Sequence, residues 1–164
     1  MKQTVRDIDI KGKRVLIRAD FNVPLEGTRI TDDTRIVESL PTILKVLSSG
    51  GRCILMSHLG RPKGKPKPEF SLKPIANHLA GLINRPVKFA SDCVDETARR
   101  EVEILRNGEV LLLENLRYHN EEEANDPEFA KQMDRGSWDG LREKLAHVIA
   151  QKTQDEWSEI MGGS

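Results

Sequence analysis

Four short apolar runs constrain this chain more than any other feature. Residues 14–19, 52–57, 87–90 and 109–114 carry Val, Ile, Leu and Phe in stretches of strand length. Between them lie segments with helical spacing. In residues 34–49, Ile36, Leu40, Ile43, Leu44 and Leu47 recur three or four positions apart. After Ser71, the residues Leu72, Ile75, Leu79, Leu82 and Ile83 do the same. Strand and helix alternating in this way predict an α/β fold, a Rossmann-like parallel sheet of about four strands with crossover helices. Val110-Leu111-Leu112-Leu113 has no polar alternation and predicts a strand buried on both faces. Residues 14–19 are likewise read as buried.

Local signals place the helix ends. Pro41 interrupts the first helical stretch, which predicts a short turn and then a helix capped by Ser39 and stopped by Gly50-Gly51. Ser71 is the expected cap of the second helix. Residues 96–105 predict a polar helix, and residues 59–70 a proline-rich loop whose basic stretch, 61–65, is available for phosphate contact. Asp126-Pro127 predicts a further helix start. The Glu121-Glu122-Glu123 run reads as a solvated face.

Composition excludes several classes. The 26 Lys+Arg balance the 26 Asp+Glu, so neither a basic nucleic-acid arm nor a polybasic membrane anchor is the main device. No apolar run approaches the roughly 20 residues of a membrane span, and residues 1–9 show no secretory leader. Cys53 and Cys93 stand far apart and suggest neither a zinc site nor a disulfide framework, so a cytoplasmic setting is expected. Both tryptophans, Trp138 and Trp157, fall in residues 134–164, where the rhythm also changes and two short helices are predicted.

In a parallel sheet, ligands bind outside the carboxyl ends of the strands. Arg18, Asp20 and Asn22 follow the first run, His58 and Arg61 the second, and Arg117 the fourth. Arg35 opens the first helical stretch. Each residue alone is ordinary for a loop. Together, four guanidiniums and an imidazole at strand ends of a neutral protein point to a small, multiply charged anion. Asp20 and Asn22 would accept hydrogen bonds from its hydroxyl. No Walker A motif, G-x-G-x-x-G or metal-ligand spacing is present in the sequence.

Three motifs, Arg18-Ala19-Asp20-Phe21-Asn22-Val23-Pro24, Ser57-His58-Leu59-Gly60-Arg61-Pro62 and Leu113-Glu114-Asn115-Leu116-Arg117-Tyr118, resemble phosphoglycerate kinase in that family's order. The resemblance runs over residues 1–133 and takes in Asp32-Asp33-Thr34-Arg35-Ile36 and Asn125-Asp126-Pro127-Glu128-Phe129-Ala130. It implies the N-terminal, 3-phosphoglycerate-binding domain of an enzyme that moves a phosphoryl group between 1,3-bisphosphoglycerate and ADP in glycolysis. By resemblance, Asp20 and Asn22 hold the glycerate. Arg18, His58, Arg61 and Arg117 form the basic patch around the 3-phosphate. Arg35 is the catalytic arginine, acting on the charge of the transferred group. The family holds Mg-ATP or Mg-ADP on a C-terminal domain that does not follow here. No cofactor or metal is therefore expected on this chain, and no kinase activity from it alone.

Residues 134–164 are expected to be an unrelated helical segment. Trp138-Asp139-Gly140-Leu141-Arg142 and Lys152-Thr153-Gln154-Asp155-Glu156-Trp157 resemble family III CoA transferases, α-methylacyl-CoA racemases in particular, without any catalytic residue of that family. The sequence reading is thus a truncated, chimeric chain. Its alternatives are a non-catalytic structural module that self-associates through an exposed sheet edge, or a fragment fused to an acyl-CoA transferase piece. No nucleic-acid or membrane partner is expected.

Overall fold

The computed structural model describes residues 4–94 and 96–124. The expected helix at Asp126-Pro127, the two tail helices and the boundary at residue 133 fall outside the described residues. In chain order the elements are β1 (Arg14–Arg18), β2 (Leu25–Glu26), β3 (Arg29–Ile30), α1 (Thr34–Ser48), β4 (Arg52–Met56), α2 (Lys73–Ile83), β5 (Val87–Phe89), α3 (Glu96–Glu103), β6 (Val110–Leu112) and α4 (Asn120–Glu123).

The four predicted strands form one parallel sheet in the order β1-β4-β6-β5. Register runs Leu16↔Ile54, Ile54↔Leu111 and Lys88↔Leu111 across it. The central pair β4 and β6 is buried on both faces. Cys53, Leu55, Val110 and Leu112 join the main core with residues of α1 and α2, while Ile54 and Leu111, on the opposite face, are also fully buried. This two-sided burial is why both strands read as unbroken apolar runs. The reading of β1 as buried is corrected: among the described residues it is an outer strand of the sheet and only half-buried, with Arg18 exposed. Among the described residues no helix is long and apolar enough to cross a membrane.

Two local expectations are also corrected. Helix α1 runs unbroken from Thr34 through Pro41 to Ser48. Ser39 caps nothing; its hydroxyl donates back to the carbonyls of Arg35 and Ile36. Ile36, Ile43, Val46 and Leu47 are buried on either side of the proline, and that apolar face outweighs the missing N–H. The predicted stop is correct: the N–H groups of Gly50 and Gly51 donate to Leu47 and Val46. At α2, Leu72 is the N-cap; the Ser71 hydroxyl accepts from the Lys73 N–H. Leu82 lies outside the buried face and is exposed.

The small antiparallel hairpin β2–β3 is absent from the sequence reading. Its two-residue turn, Gly27-Thr28, needs a glycine first because φ there is +62°. The hairpin delivers the chain to the start of α1 and so helps set where Arg35 emerges.

Candidate functional site

Every strand of a parallel sheet ends on the same side, and here the loops beyond those ends are tied together. The Phe21 N–H donates to the Ser57 hydroxyl at 2.9 Å. The Asn22 Oδ1 accepts from the Gly60 N–H at 2.9 Å, and the Gly60 carbonyl accepts from Arg117 Nη1 at 3.0 Å. Loops after β1, β4 and β6 thus meet at one glycine.

Asn115 supports that junction from beneath. It is fully buried, and its side chain makes four hydrogen bonds. Oδ1 accepts from the N–H groups of Leu59 and Arg117; Nδ2 donates to the carbonyls of Leu59 and Phe70 at 2.7 and 2.8 Å. Glu114, also buried, accepts from the Ser71 hydroxyl and from the N–H groups of Leu72 and Asn115. Ser57, Glu114 and Asn115 stand inside the quoted motifs, yet the sequence reading gave them no role. Their signal was a polar residue placed directly after an apolar run, where loop backbone must be satisfied.

The predicted site residues sit around this frame. His58 is mostly buried, and burial pushes its imidazole pKa down to about 4. Arg117, Arg18 and Arg35 add to the depression, while Asp20 opposes it. Five of the predicted residues therefore share one electrostatic field. A pKa this low favours the uncharged imidazole near neutral pH, so His58 would serve the expected basic patch as a hydrogen-bonding group. Arg35, in the first turn of α1, pairs with Asp20, and both side chains are half exposed. Such an exposed pair is worth at most about 1 kcal/mol, so Arg35 is easily recruited by a ligand. Asp20 Oδ1 also accepts from the Asn22 N–H. Asn22 itself serves the loop frame through Gly60. Arg61 is exposed, with no hydrogen bond or ion pair to a described residue.

The Glu121-Glu122-Glu123 run is corrected in part. The Glu122 side chain is only 10% exposed; its Oε1 accepts from Arg18 Nη2 at 2.8 Å, and its Oε2 lies 3.6 Å from Arg117 Nε. The structure also gathers Asp92, Cys93 and His119, whose donor atoms lie within 4.8 Å of one another, a grouping the sequence spacing does not reveal. There the Asp92 carboxylate accepts from the Cys93 and Val94 N–H groups and pairs with His119 at 2.8 Å. Burial raises its pKa, but the bonds from His119 and Cys93 outweigh burial and hold it below the usual range. That pair fixes the residue from which α4 starts. Cys53 and Cys93 are free and buried, and burial pushes the Cys53 thiol up to about 12.

The buried imidazole has a measurable consequence. Between pH 6.5 and about 4 the unfolded chain binds a proton at His58 and the folded chain does not. Stability is expected to fall as pH drops through that window and to be unaffected by His58 above it. Urea unfolding at pH 7 and pH 5 checks this: His58→Gln should lose less stability between the two than the parent chain does.

Comparison with known proteins bears on the same residues. The family profile described as phosphoglycerate kinase matches residues 5–137. Phosphoglycerate kinase of Chlorobium luteolum is 62% identical over 133 residues, covering 80% of this chain and 34% of the relative. That of Chlorobaculum tepidum is 58% identical over the same shares. Among solved structures, phosphoglycerate kinase from Coxiella burnetii superposes with a TM-score of 0.69 at 38% identity, covering 78% of this chain and 31% of that one. The enzyme from Pyrococcus horikoshii gives 0.71 at 28% identity, covering 80% and 34%. The chain spans about a third of the length of the relatives it matches. Matched over most of its length by profile, sequence and backbone, and carrying the three strand-end motifs on a parallel sheet, this chain belongs to the phosphoglycerate kinase family.

Proposed function

We propose that residues 4–124 bind 3-phosphoglycerate at the carboxyl ends of the sheet. The observation that carries this reading is the gathering of the strand-end loops at Gly60, with Arg35 paired to Asp20 and with Arg18 and Arg117 meeting at Glu122. In the proposed complex Arg18, Arg61 and Arg117 take the 3-phosphate. Guanidinium forks match phosphate oxygens in pairs, and each such contact is stronger than a neutral hydrogen bond. Neutral His58 donates to an oxygen of the same group. Asp20 accepts from the glycerate hydroxyl, and Asn22 orders the carboxylate end. Arg35 leaves Asp20 for the acyl-phosphate end, where an arginine offsets charge on the transferred phosphoryl group.

The chain matches only about a third of its relatives' length, so the proposal concerns binding rather than turnover. Phosphoryl transfer in glycolysis, with Mg-ATP or Mg-ADP, belongs to the longer proteins of the family, and no described residue is assigned to nucleotide or metal.

Calorimetric titration of the full chain with 3-phosphoglycerate tests the reading, with inorganic phosphate as comparison. Saturable binding is expected for 3-phosphoglycerate. Arg61→Ala is the cleanest probe, because its side chain is exposed and bonds to none of the described residues. It should leave the urea midpoint unchanged and weaken binding by about tenfold or more, the worth of a lost charged hydrogen bond. A folded chain that does not bind, or an Arg61→Ala variant that binds as tightly as the parent, would sink the proposal.

A further inference from the structure

We infer that Glu122 is a positioning residue that holds the guanidiniums of Arg18 and Arg117 on one carboxylate beside the strand-end loops; this rests on the reading of that patch as an anion site. Two cations at close range repel and swing apart unless a counter-charge lies between them. The Glu122 carboxylate supplies it, with one oxygen on Arg18 at 2.8 Å and the other 3.6 Å from Arg117 Nε.

Burial decides which side of the arginines the carboxylate occupies. Glu122 Oε2 and Arg117 Nε are both buried, and neither has a hydrogen-bond partner. They face each other in the interior, one short closing movement away from satisfying two costly groups at once. The Arg18 side chain, by contrast, is 44% exposed. Glu122 thus takes one terminal nitrogen of Arg18 and faces the buried Nε of Arg117, and leaves the other donors of the more exposed Arg18 for an incoming phosphate. Glu123, 3.6 Å from the same Arg117 Nε, is far more exposed than Glu122 and adds only a surface charge. The Asp92–His119 pair fixes the residue before α4, so the carboxylate is delivered by an anchored turn.

A competitor would behave in the opposite way: a carboxylate sitting where the phosphate belongs lowers affinity, and its removal raises it. The sign of the change in affinity on Glu122→Gln therefore tests the inference. The full chain and its Glu122→Gln and Glu122→Asp variants are titrated with 3-phosphoglycerate, and their arginine Nε–H signals are recorded by ¹⁵N NMR with solvent exchange. Glu122→Gln keeps the shape and removes the charge, and should weaken binding by about fivefold or more, as misplacing two contact groups does. Glu122→Asp should recover part of that loss. The Arg117 Nε–H, protected in the parent chain, should exchange faster in Glu122→Gln. Unchanged or tighter binding by Glu122→Gln overturns the inference. If the parent chain binds no 3-phosphoglycerate, the anion-site reading fails by itself. The Nε–H exchange still decides whether Glu122 holds the arginine: faster exchange in the variant supports this, and equal exchange overturns it. Should Glu122→Gln fail to fold, the same comparison is made with Glu122→Asp, which is then expected to show a smaller loss of affinity and of protection, with no change overturning the inference.

Discussion

Asn115→Ala is expected to destabilise the chain by about 3–4 kcal/mol. The side chain makes four hydrogen bonds in a place closed to solvent. Alanine leaves the N–H groups of Leu59 and Arg117 and the carbonyls of Leu59 and Phe70 without their partner. Each buried orphan costs about 1–3 kcal/mol, less where water enters the space. Against a total stability of roughly 5–15 kcal/mol for a domain, this is a large share. Urea unfolding measures it. Asn115→Asp separates the two halves of the network. It keeps an acceptor for the two N–H groups and sets a second acceptor against two carbonyls. The loss should therefore be at least as great as with alanine. If either variant unfolds within about 1 kcal/mol of the parent, the loops are held by something other than this side chain. The same substitution unties Leu59, which lies between His58 and Gly60, from the Arg117 backbone, so 3-phosphoglycerate binding should weaken with it.

Gly60→Ala is expected to cost about 2–3 kcal/mol and to damage binding more than stability. Gly60 has φ near +59°, a region that costs an L-residue roughly 1–2 kcal/mol. A Cβ built there would stand 2.4 Å from the Phe70 ring. The half-buried ring must swing away, adding a packing loss of about 1 kcal/mol. More important, Gly60 is the shared partner of Asn22 and Arg117. A shift of a few tenths of an ångström there moves both site residues together. The steric part is separable: in a Phe70→Leu background the penalty should shrink, because the two changes are in contact and do not add. Equal penalties in both backgrounds would place the whole cost in the backbone.

Much of the fold was legible because its signals are local. The strands β1, β4, β5 and β6 were found within a residue or two of their bounds, since apolar runs of strand length between helical periodicities leave little choice. The stop of α1 at Gly50 was legible for a similar reason. The strand order was not. Arg14–Arg18 is as apolar in its middle as Arg52–Met56, yet among the described strands β1 is outermost and β4 is central. Pairing joins segments dozens of residues apart, and composition carries no record of which neighbours a strand will have. Pro41 misled for a related reason: a local propensity was overruled by burial on the far side of the helix. The Glu122 carboxylate belongs to the same class, since a run of three glutamates looks solvated until one of them meets two arginines from elsewhere.

The candidate site divides along the same line. Which residues are proposed to bind the ligand was read from the sequence alone. Strand-end arginines, a histidine, an aspartate and an asparagine in three motifs suggest the proposed kind of ligand, because side-chain charge and hydrogen-bonding capacity are properties of the residues themselves. The state of those residues was decided only by the tertiary structure. Burial, with guanidiniums nearby, pushes the His58 imidazole pKa down. Arg35 is held by Asp20, and Arg117 by Gly60 and Glu122. Gly60 and Asn115 matter because three loops cross there. Desolvation, field and register depend on what lies alongside in space, and proximity between distant segments exists only once the sheet has formed.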